Sequence, residues 1–327
     1  MEIHNYIPIT DEYMYFKFFE NNRFDKILGL SASIDSSLLP RLDTIAPIVD
    51  SIDTNKAVEL GLVSPFKVYN IPVEMDFESR LEYGRCDAEF HMTFKLFDKD
   101  LKLMFACMKS KNTFMRHLMR KFHVSANSQE LRDMHQQYKT YPFRCNTAMK
   151  KRKELLYEAA GKLEAIAGLL SLFENRYGVI FNQTAKFADK VGKLIGEECV
   201  VEHSKIKPAK KRRENLKKFL DGRTKVRYIS AVKSLNEGAN LNRVDFIIIA
   251  SGTSKLKDFI QRVGRSIRWQ DGKEAIVVRL YVKDSQEEKW VDSSQEGYEV
   301  VTLFNYKDLE NYVKRTEEDP KLARPTE

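Results

Sequence analysis

The chain has 327 residues and a formal net charge of +8 at pH 7. Its length allows two domains, and a hydrophobic content of 43% is enough to form packed cores. No apolar run reaches the length of a membrane span, and the first residues lack the pattern of a secretory signal. The positive charge favours a polyanionic partner such as nucleic acid, but charge alone leaves a merely soluble basic protein equally open.

The amino-terminal part of the chain divides into two predicted regions. Residues 1–80 combine a short helix over 12–20 with two strands, at 26–30 and 66–73. Residues 81–146 mix aromatic, methionine and basic side chains and are predicted to be mostly helical. The apolar spacing there favours a packed core, and a surface on which bases stack is the alternative.

From residue 147 onward the pattern predicts an α/β domain with a parallel sheet. Apolar residues at helical spacing predict one helix over 147–174. Short β-branched runs then alternate with helical patterns, which is typical of a parallel sheet covered on both faces. The candidate strands are 179–181, 199–202, 226–230, 246–250 and 275–281. The domain is predicted to end near 304, and the polar tail over 305–327 is expected to fray.

The four cysteines are far apart and form no Cys-x-x-Cys pair. Without the spacing of metal ligands, they are interpreted as reduced thiols of a cytoplasmic protein and not as zinc ligands or disulfides. They are Cys86, Cys107, Cys145 and Cys199.

The most informative segment is Gln261-Arg262-Val263-Gly264-Arg265-Ser266-Ile267-Arg268. It places three arginines within seven positions, after a strand that is predicted to be buried. Arginine keeps its charge, and its planar fork matches phosphate oxygens. The glycine beside Arg265 lets the backbone approach a ligand closely. A solvated basic helix face is the alternative, but companion motifs upstream favour a nucleotide-hydrolysing site.

This segment resembles motif VI of superfamily 2 helicases. Three upstream segments resemble other motifs of that family, in the family's order: Ser31-Ala32-Ser33 is similar to motif III, Gly178–Phe181 to the strand of motif IV, and Ser234–Leu241 to motif V. The chain looks most like the DNA repair and recombination translocases of the superfamily, including phage branched-DNA helicases. A phage-encoded protein of this kind would act in the host cytoplasm.

The resemblance implies two RecA-like domains that face each other across a cleft. Residues 1–80 would be a partial first RecA-like domain, and 81–146 a helical connector. Residues 147–304 would be the second RecA-like domain, the helicase carboxyl-terminal domain, followed by a polar tail.

The resemblance also implies roles for individual residues in ATP hydrolysis. Arg265 and Arg268 would be arginine fingers, and Gln261 would help to position them. Ser31, Ala32 and Ser33 would couple the nucleotide to movement. Residues near the nucleotide would be Glu237, Gly238, Asn240, Arg262 and Gly264. Asn240 stands where the family usually has Asp, so this position keeps an acceptor and loses the charge.

The first domain lacks its phosphate-binding loop, because no Gly-x-x-x-x-Gly-Lys-Ser/Thr occurs in the sequence. Met1-Glu2-Ile3-His4 resembles the family's motif II, Asp-Glu-x-His. By that resemblance Glu2 would orient the attacking water, His4 would be its coupling partner, and the magnesium-binding Asp would fall on Met1. We therefore expect a sequence cut at motif II. ATP and Mg²⁺ would both require the missing half, which a separate chain carrying the phosphate-binding loop could supply.

Nucleic-acid contacts, with DNA favoured, should be mostly to phosphates. The candidates are His203, Ser204, Lys205, Arg212 and Ser230, most of them at the predicted carboxyl ends of strands. For the basic cluster over 207–218, a solvated helix face and a phosphate-binding face are equally open. Two functions follow as hypotheses: the carboxyl-terminal portion of an ATP-dependent helicase or translocase, or a non-catalytic nucleic-acid-binding subunit. Under the first hypothesis the chain belongs to an enzyme, but we expect the isolated chain to be inactive because the phosphate-binding loop is absent.

Overall fold

The fold was analysed in a computed structural model of the chain. The residues that the structure describes are 39–40, 43, 47–52, 56, 59–60, 66–222, 224–232, 244–251, 275–293 and 300–311. The predicted helix over 12–20 and the predicted strand over 26–30 lie outside them.

A seven-stranded sheet forms the centre of the described part of the chain. Its strands are β1 (Phe66–Val73), β2 (Gly178–Asn182), β3 (Cys199–Glu202), β4 (Tyr228–Val232), β5 (Phe246–Ile249), β6 (Ala275–Val282) and β7 (Val300–Thr302). Their order in the sheet is β3-β4-β2-β5-β6-β1-β7, and each pair of neighbours is parallel. The predicted α/β class with a parallel sheet is confirmed.

Helices occupy most of the remaining described chain. They are α1 (Phe77–Phe94), α2 (Leu101–Lys109), α3 (Lys111–Phe122), α4 (Gln129–Tyr138), α5 (Tyr141–Tyr157), α6 (Ala160–Leu172), α7 (Ala185–Ile195), α8 (Ala209–Leu220) and α9 (Gln286–Asp292). Several begin at a side chain that accepts from a free backbone N–H of the first turn, such as Asp76 for α1, Ser128 for α4 and Thr184 for α7.

The sheet is buried on both faces, which explains its continuous apolar strands. Every residue of β2 and β5 is buried. One face packs against α6 and α7, through residues such as Ile180 and Phe187, and the other packs against Phe219 of α8. Gly178 begins β2, and a Cβ there would lie 2.1 Å from the ring of Phe246. A larger residue would therefore push β2 away from its neighbour β5.

The position of β1 corrects the predicted domain division. The strand at 66–73 was expected in a partial first domain, but it pairs with β6 on one side and with β7 on the other. Val68 and Ile71 are fully buried in the two cores of this sheet. The sheet therefore includes a strand from well before residue 147, and α6 packs against both this strand and β6.

The single helix predicted over 147–174 is also wrong, because the structure has two. α5 ends at Tyr157 and α6 begins at Ala160. The backbone of Ala159 is extended between them, and the carbonyl of Leu156 accepts from Nζ of Lys162 at 2.7 Å. The apolar stripe continues across the break because both helices contribute to the same core.

The segment after Asn305 is more ordered than expected. Residues 306–311 are helical, and Leu309 is fully buried in the core that contains α6 and α7. Burial of this apolar side chain holds the segment against the sheet. The rest of the predicted tail, from 312, lies outside the described residues.

The predicted helical region between β1 and β2 is confirmed, and we call α1 to α5 (Phe77–Tyr157) the helical module. It has a hydrophobic core of its own that includes Phe97, Met104, Phe114 and Leu118. The favoured interpretation of its aromatic and methionine spacing as a core is therefore confirmed. In the part of the chain that the structure describes, no helix has both the length and the apolar character to cross a bilayer.

The helical module joins the sheet where β1 and β6 end. A Cβ on Gly161 of α6 would lie 2.4 Å from the carbonyl oxygen of Glu74, so the two ends of the module meet there. Beside this junction, Lys162 forms a fully buried ion pair with Glu287 of α9 at 2.9 Å. Tyr83 of α1 accepts a hydrogen bond from the backbone N–H of Gln286. The module is thus fixed to the carboxyl edge of the sheet.

Candidate nucleotide and nucleic-acid site

The carboxyl edge of the sheet is the candidate site, because the ends of parallel strands meet on one edge. The strand resembling motif IV lies within β2, at the centre of the sheet. β4 and β5 flank β2 and pair with it in parallel. The segment resembling motif V follows β4 in the sequence, and the one resembling motif VI follows β5. Both segments therefore follow strands that end next to β2.

Many of the residues assigned from the resemblance lie outside the described residues. They are Glu2, His4, Ser31, Ala32, Ser33, Glu237, Gly238, Asn240, Gln261, Arg262, Gly264, Arg265 and Arg268. The structure describes the five nucleic-acid candidates, which are His203, Ser204, Lys205, Arg212 and Ser230.

Polar side chains connect β2 to both of its neighbouring strands near the carboxyl edge. The side-chain amide of Asn182 donates to Oγ of Ser230 at 3.0 Å, and that hydroxyl donates to the carbonyl of Ala188 at 2.9 Å. Gln183 donates to Oγ of Ser251 at 3.2 Å. These bonds join β2 to β4 on one side and to the end of β5 on the other, so they hold the edge in one arrangement.

Ser230 is placed differently from the sequence expectation. It was predicted to end its strand, but β4 continues to Val232, so Ser230 lies in the middle of the strand. Its side chain is fully buried and both donates and accepts a hydrogen bond. This hydroxyl holds β4 against β2 and α7 and is not exposed to a phosphate.

His203 follows β3 as expected, but its side chain is buried. Its Nε2 lies 3.0 Å from Oδ1 of Asp189 on α7. The adjacent residues Ser204 and Lys205 are exposed. At the end of β3, therefore, the exposed serine and lysine could contact a ligand directly, whereas the histidine fixes the loop to α7.

Arg212 of α8 also contacts a buried side chain. Its Nη1 lies 3.7 Å from Oε1 of Glu202, the last residue of β3. Burial raises the pKa of the Glu202 carboxyl, and the positive charge of Arg212 opposes that shift. The pair joins α8 to the edge strand.

The remaining basic residues of α8 and of the loop before it face solvent. Pro208 precedes the first helical residue, and Phe219 anchors the helix in the core. The exposed basic side chains are Lys205, Lys207, Lys210, Lys211, Arg213, Lys217 and Lys218. This part of the surface is suited to phosphate contacts, because long exposed basic side chains can reach a polyanion.

Sequence reasoning missed several polar residues of this edge, including Gln183, Asp189, Glu202 and Ser251. A signal for two of them was present, because Gln183 and Ser251 follow closely after continuous apolar runs. Asp189 and Glu202 gave no such signal, since a carboxylate on a helix or at a strand end is usually solvated.

Residues 161–270 match the family model of the helicase conserved C-terminal domain. The match begins in α6 and covers β2 to β5. This part of the chain is therefore similar to a helicase carboxyl-terminal domain, and it contains the central strands of the parallel sheet. The match agrees with the resemblance carried by the motifs.

A curated relative is the DNA 3'-5' translocase XPB2 of Sulfurisphaera tokodaii, which is 28% identical over 123 residues. The match covers 37% of this chain and 26% of the relative, about a quarter of its length. Among solved structures, the C-terminal part of the Fun30 ATPase domain is 15% identical, with a TM-score of 0.46. That match covers 79% of this chain and 99% of the Fun30 chain. The C-terminal domain of the DEAD-box protein Dbp5 is 21% identical, with a TM-score of 0.39, over 49% and 93% of the two chains.

Proposed function

We propose that this chain is the carboxyl-terminal portion of an ATP-dependent nucleic-acid helicase or translocase, and that it acts on DNA. The order of the family motifs along the sheet carries this proposal. The motif IV strand is β2, and the segments resembling motifs V and VI follow its two neighbours. Ligands of parallel α/β sheets bind at such strand ends. The translocase relative supports DNA as the substrate.

The chemistry assigned to this chain is neutralisation of phosphate charge during ATP hydrolysis. Arg265 and Arg268 act as arginine fingers, and Gln261 positions them. A triphosphate fits this donor set, because arginine forks pair with phosphate oxygens and keep their charge. Further residues near the nucleotide are Glu237, Gly238, Asn240, Arg262 and Gly264. Bound ATP supplies the phosphoryl group that is transferred to water.

Magnesium does not fit the described side chains of the carboxyl edge. Among the described residues, no three side chains of His, Cys, Asp or Glu are grouped as metal ligands, and Asp189 and Glu202 each contact a basic side chain. We propose that the metal and the phosphate-binding loop belong to a part of the enzyme outside these 327 residues, which contain no such loop motif. Glu2 and His4 would act beside that loop, and Ser31, Ala32 and Ser33 would couple it to movement.

The nucleic-acid contacts belong to the exposed basic surface beside β3. Ser204 and Lys205 lie at the strand end, and the exposed lysines of α8 extend the surface. Contacts of this kind are to phosphates and carry no sequence preference. His203 and Arg212 hold the loop and the helix in place through Asp189 and Glu202.

The test is ATP turnover by an assembly of this chain with a chain that carries the phosphate-binding loop. Replacing Arg265 or Arg268 by Ala should lower turnover by roughly 10³- to 10⁵-fold, which is the usual contribution of a finger arginine. Lys should restore little at either position, because a point charge does not reproduce the fork. Arg85→Ala is the matched control, since Arg85 is exposed on α1, and turnover should not change. Near-parental turnover in either finger variant would refute that assignment.

The alternative function is a non-catalytic nucleic-acid-binding subunit, which the lack of a phosphate-binding loop motif favours. The two functions differ in one measurement. The first predicts no magnesium-dependent ATP hydrolysis by the purified chain, and hydrolysis stimulated by nucleic acid after the loop-bearing chain is added. Salt-sensitive nucleic-acid binding without turnover in any combination would establish the alternative.

A further inference from the structure

Positive charge is concentrated in the helical module. The module, residues 77–157, has seventeen lysines and arginines and nine aspartates and glutamates, a net charge of +8, and fifteen of these basic residues lie between Lys95 and Lys153. The whole chain also has a net charge of +8, so the residues outside the module sum to zero. The module is therefore a second basic region of the molecule, besides the exposed basic surface beside β3.

Most of this charge is not neutralised by neighbouring carboxylates. Three of the fifteen basic side chains form ion pairs: Lys121 with Asp98, Arg144 with Glu89, and Arg152 with Asp87. Within the described ranges, the other twelve have no carboxylate at ion-pair distance. Unpaired cations at this density repel each other, and binding a polyanion would relieve that repulsion.

A row of aromatic rings packs between three helices of the module and holds α5 against α3 and α4. The rings of Phe122 and Tyr138 are parallel within 1°, with centroids 5.9 Å apart. Tyr138 meets Tyr141 edge to face at 5.0 Å, and the guanidinium of Arg144 lies 5.2 Å from the Tyr141 centroid. The outer ring, Phe122, is 36% exposed, so one end of the row is open to solvent.

Helix α5 presents a second aromatic ring on the same face as unpaired lysines. Phe143 is 56% exposed, although burying this ring would be favourable. Thr147, Lys150 and Lys151 follow at intervals of one and two helical turns, and all three are exposed. Residues at this spacing lie on one side of a helix. We call Phe143, Thr147, Lys150 and Lys151 the α5 face.

We propose that the helical module binds single-stranded nucleic acid along the α5 face. Lysines contact the phosphates, and unpaired bases stack on Phe143. An exposed ring offers a base-stacking surface only to a strand whose bases are unpaired, so this ring favours a single strand over a duplex. The inference rests on the proposed function for the class of partner, but it uses residues far in sequence from Arg265 and Arg268.

The test measures binding of the intact chain to a fluorescein-labelled oligothymidylate by fluorescence anisotropy. The titration is made at several salt concentrations and without ATP. Lys150→Gln combined with Lys151→Gln should weaken binding. It should also reduce the slope of log affinity against log salt by about 1.4, since each single-strand phosphate contact contributes about 0.7. Phe143→Ala should weaken binding roughly tenfold at every salt concentration, without changing the slope.

Matched controls come from exposed residues of the sheet helices and from the segment after β7. Lys193→Gln combined with Lys289→Gln removes the same charge from α7 and α9, and Phe304→Ala removes a ring that is 91% exposed. Both controls should bind as the parent does. Far-ultraviolet circular dichroism checks that each variant is folded. Because Phe143, Lys150 and Lys151 are exposed, we expect their replacement to leave the fold intact.

Three outcomes would overturn the inference. The first is that the α5-face variants bind no worse than their controls. The second is that a duplex binds at least as tightly as the single strand. The third is that polyglutamate displaces the oligonucleotide as well as unlabelled oligothymidylate does, since an acidic protein would then be the better partner. A failure of the arginine-finger test would leave this result unaffected, because the binding needs neither ATP nor a second chain.

Discussion

At the scale of single residues, the buried pair of Lys162 and Glu287 joins α6 to α9. Both side chains are fully buried. Burial lowers the pKa of Lys162, and the charge of Glu287 opposes that shift. Lys162 also donates to the carbonyl that the helix break leaves free, and Glu287 accepts from the backbone N–H of Val282. One pair thus satisfies the ends of a helix and of a strand.

Lys162→Met should lower the free energy of unfolding by about 3–5 kcal/mol, because it leaves a buried carboxylate without its partner. Combining Lys162→Met with Glu287→Leu should cost less than the sum of the two single changes, since no isolated charge then remains. Chemical denaturation of the four proteins in this cycle measures the coupling. Additive effects would contradict a direct interaction between the two charges.

A surface pair provides the comparison for this cycle. Lys210 and Glu214 are exposed on α8 at 4.0 Å. Lys210→Met should change the free energy of unfolding by no more than about 0.5 kcal/mol, because water already solvates both charges.

Individual site residues could be predicted only in part. The exposed positions of Ser204 and Lys205 could be predicted, because the sequence pattern gave the correct end of β3. Ser230 could not be placed, because a two-residue error in the bounds of β4 changes a loop residue into a buried one. Lys162 looked like an ordinary surface lysine, since the glutamate that pairs with it lies 125 positions further along the chain.

At the scale of elements, β1 shows where local pattern is insufficient. Its bounds could be predicted from its own residues, since apolar side chains between turn-forming residues define a strand. Its neighbours in the sheet, β6 and β7, could not be predicted, because the pairing of parallel strands depends on contacts between residues remote in sequence. The break between α5 and α6 was missed for a similar reason: the apolar stripe runs through it, and a tertiary contact at Lys162 decides where the helix stops.

A fragment of residues 147–311, close to the second domain expected from sequence, should not fold cooperatively. It lacks β1, so β6 would lose one of its two neighbours and β7 would lose the strand that it pairs with. The buried Arg279 of β6 would also lose the hydrogen bond from its Nε to Asn70, which is 2.8 Å long. Urea unfolding followed by circular dichroism measures the transition.

A fragment of residues 66–311 is the control, because it keeps β1 and the module. It should unfold in one cooperative step. If the shorter fragment unfolded as sharply and at the same urea concentration, β1 would be dispensable for the sheet.

At the scale of the whole molecule, two basic surfaces border one edge of the sheet. α8 adjoins β3 at one end of the strand order, and the module is attached where β1 and β6 end. The candidate nucleotide segments follow β4 and β5, which lie between these two attachments. A nucleic-acid strand held by both surfaces would therefore pass the carboxyl ends of β4 and β5. The segment that contains the arginines follows β5 in the sequence. This arrangement joins the proposed function to the inference about the module.

The place of β1 also has a consequence for synthesis of the chain on the ribosome. Phe66 pairs with Ala275, so β1 emerges about 200 residues before the strand that it pairs with. At typical rates of translation, this corresponds to roughly 10–40 s during which both edges of β1 lack their partners. The helical module is complete much earlier and has its own core. During that interval the nascent chain is a folded helical bundle with an unpaired apolar strand before it, a form that a chaperone would recognise.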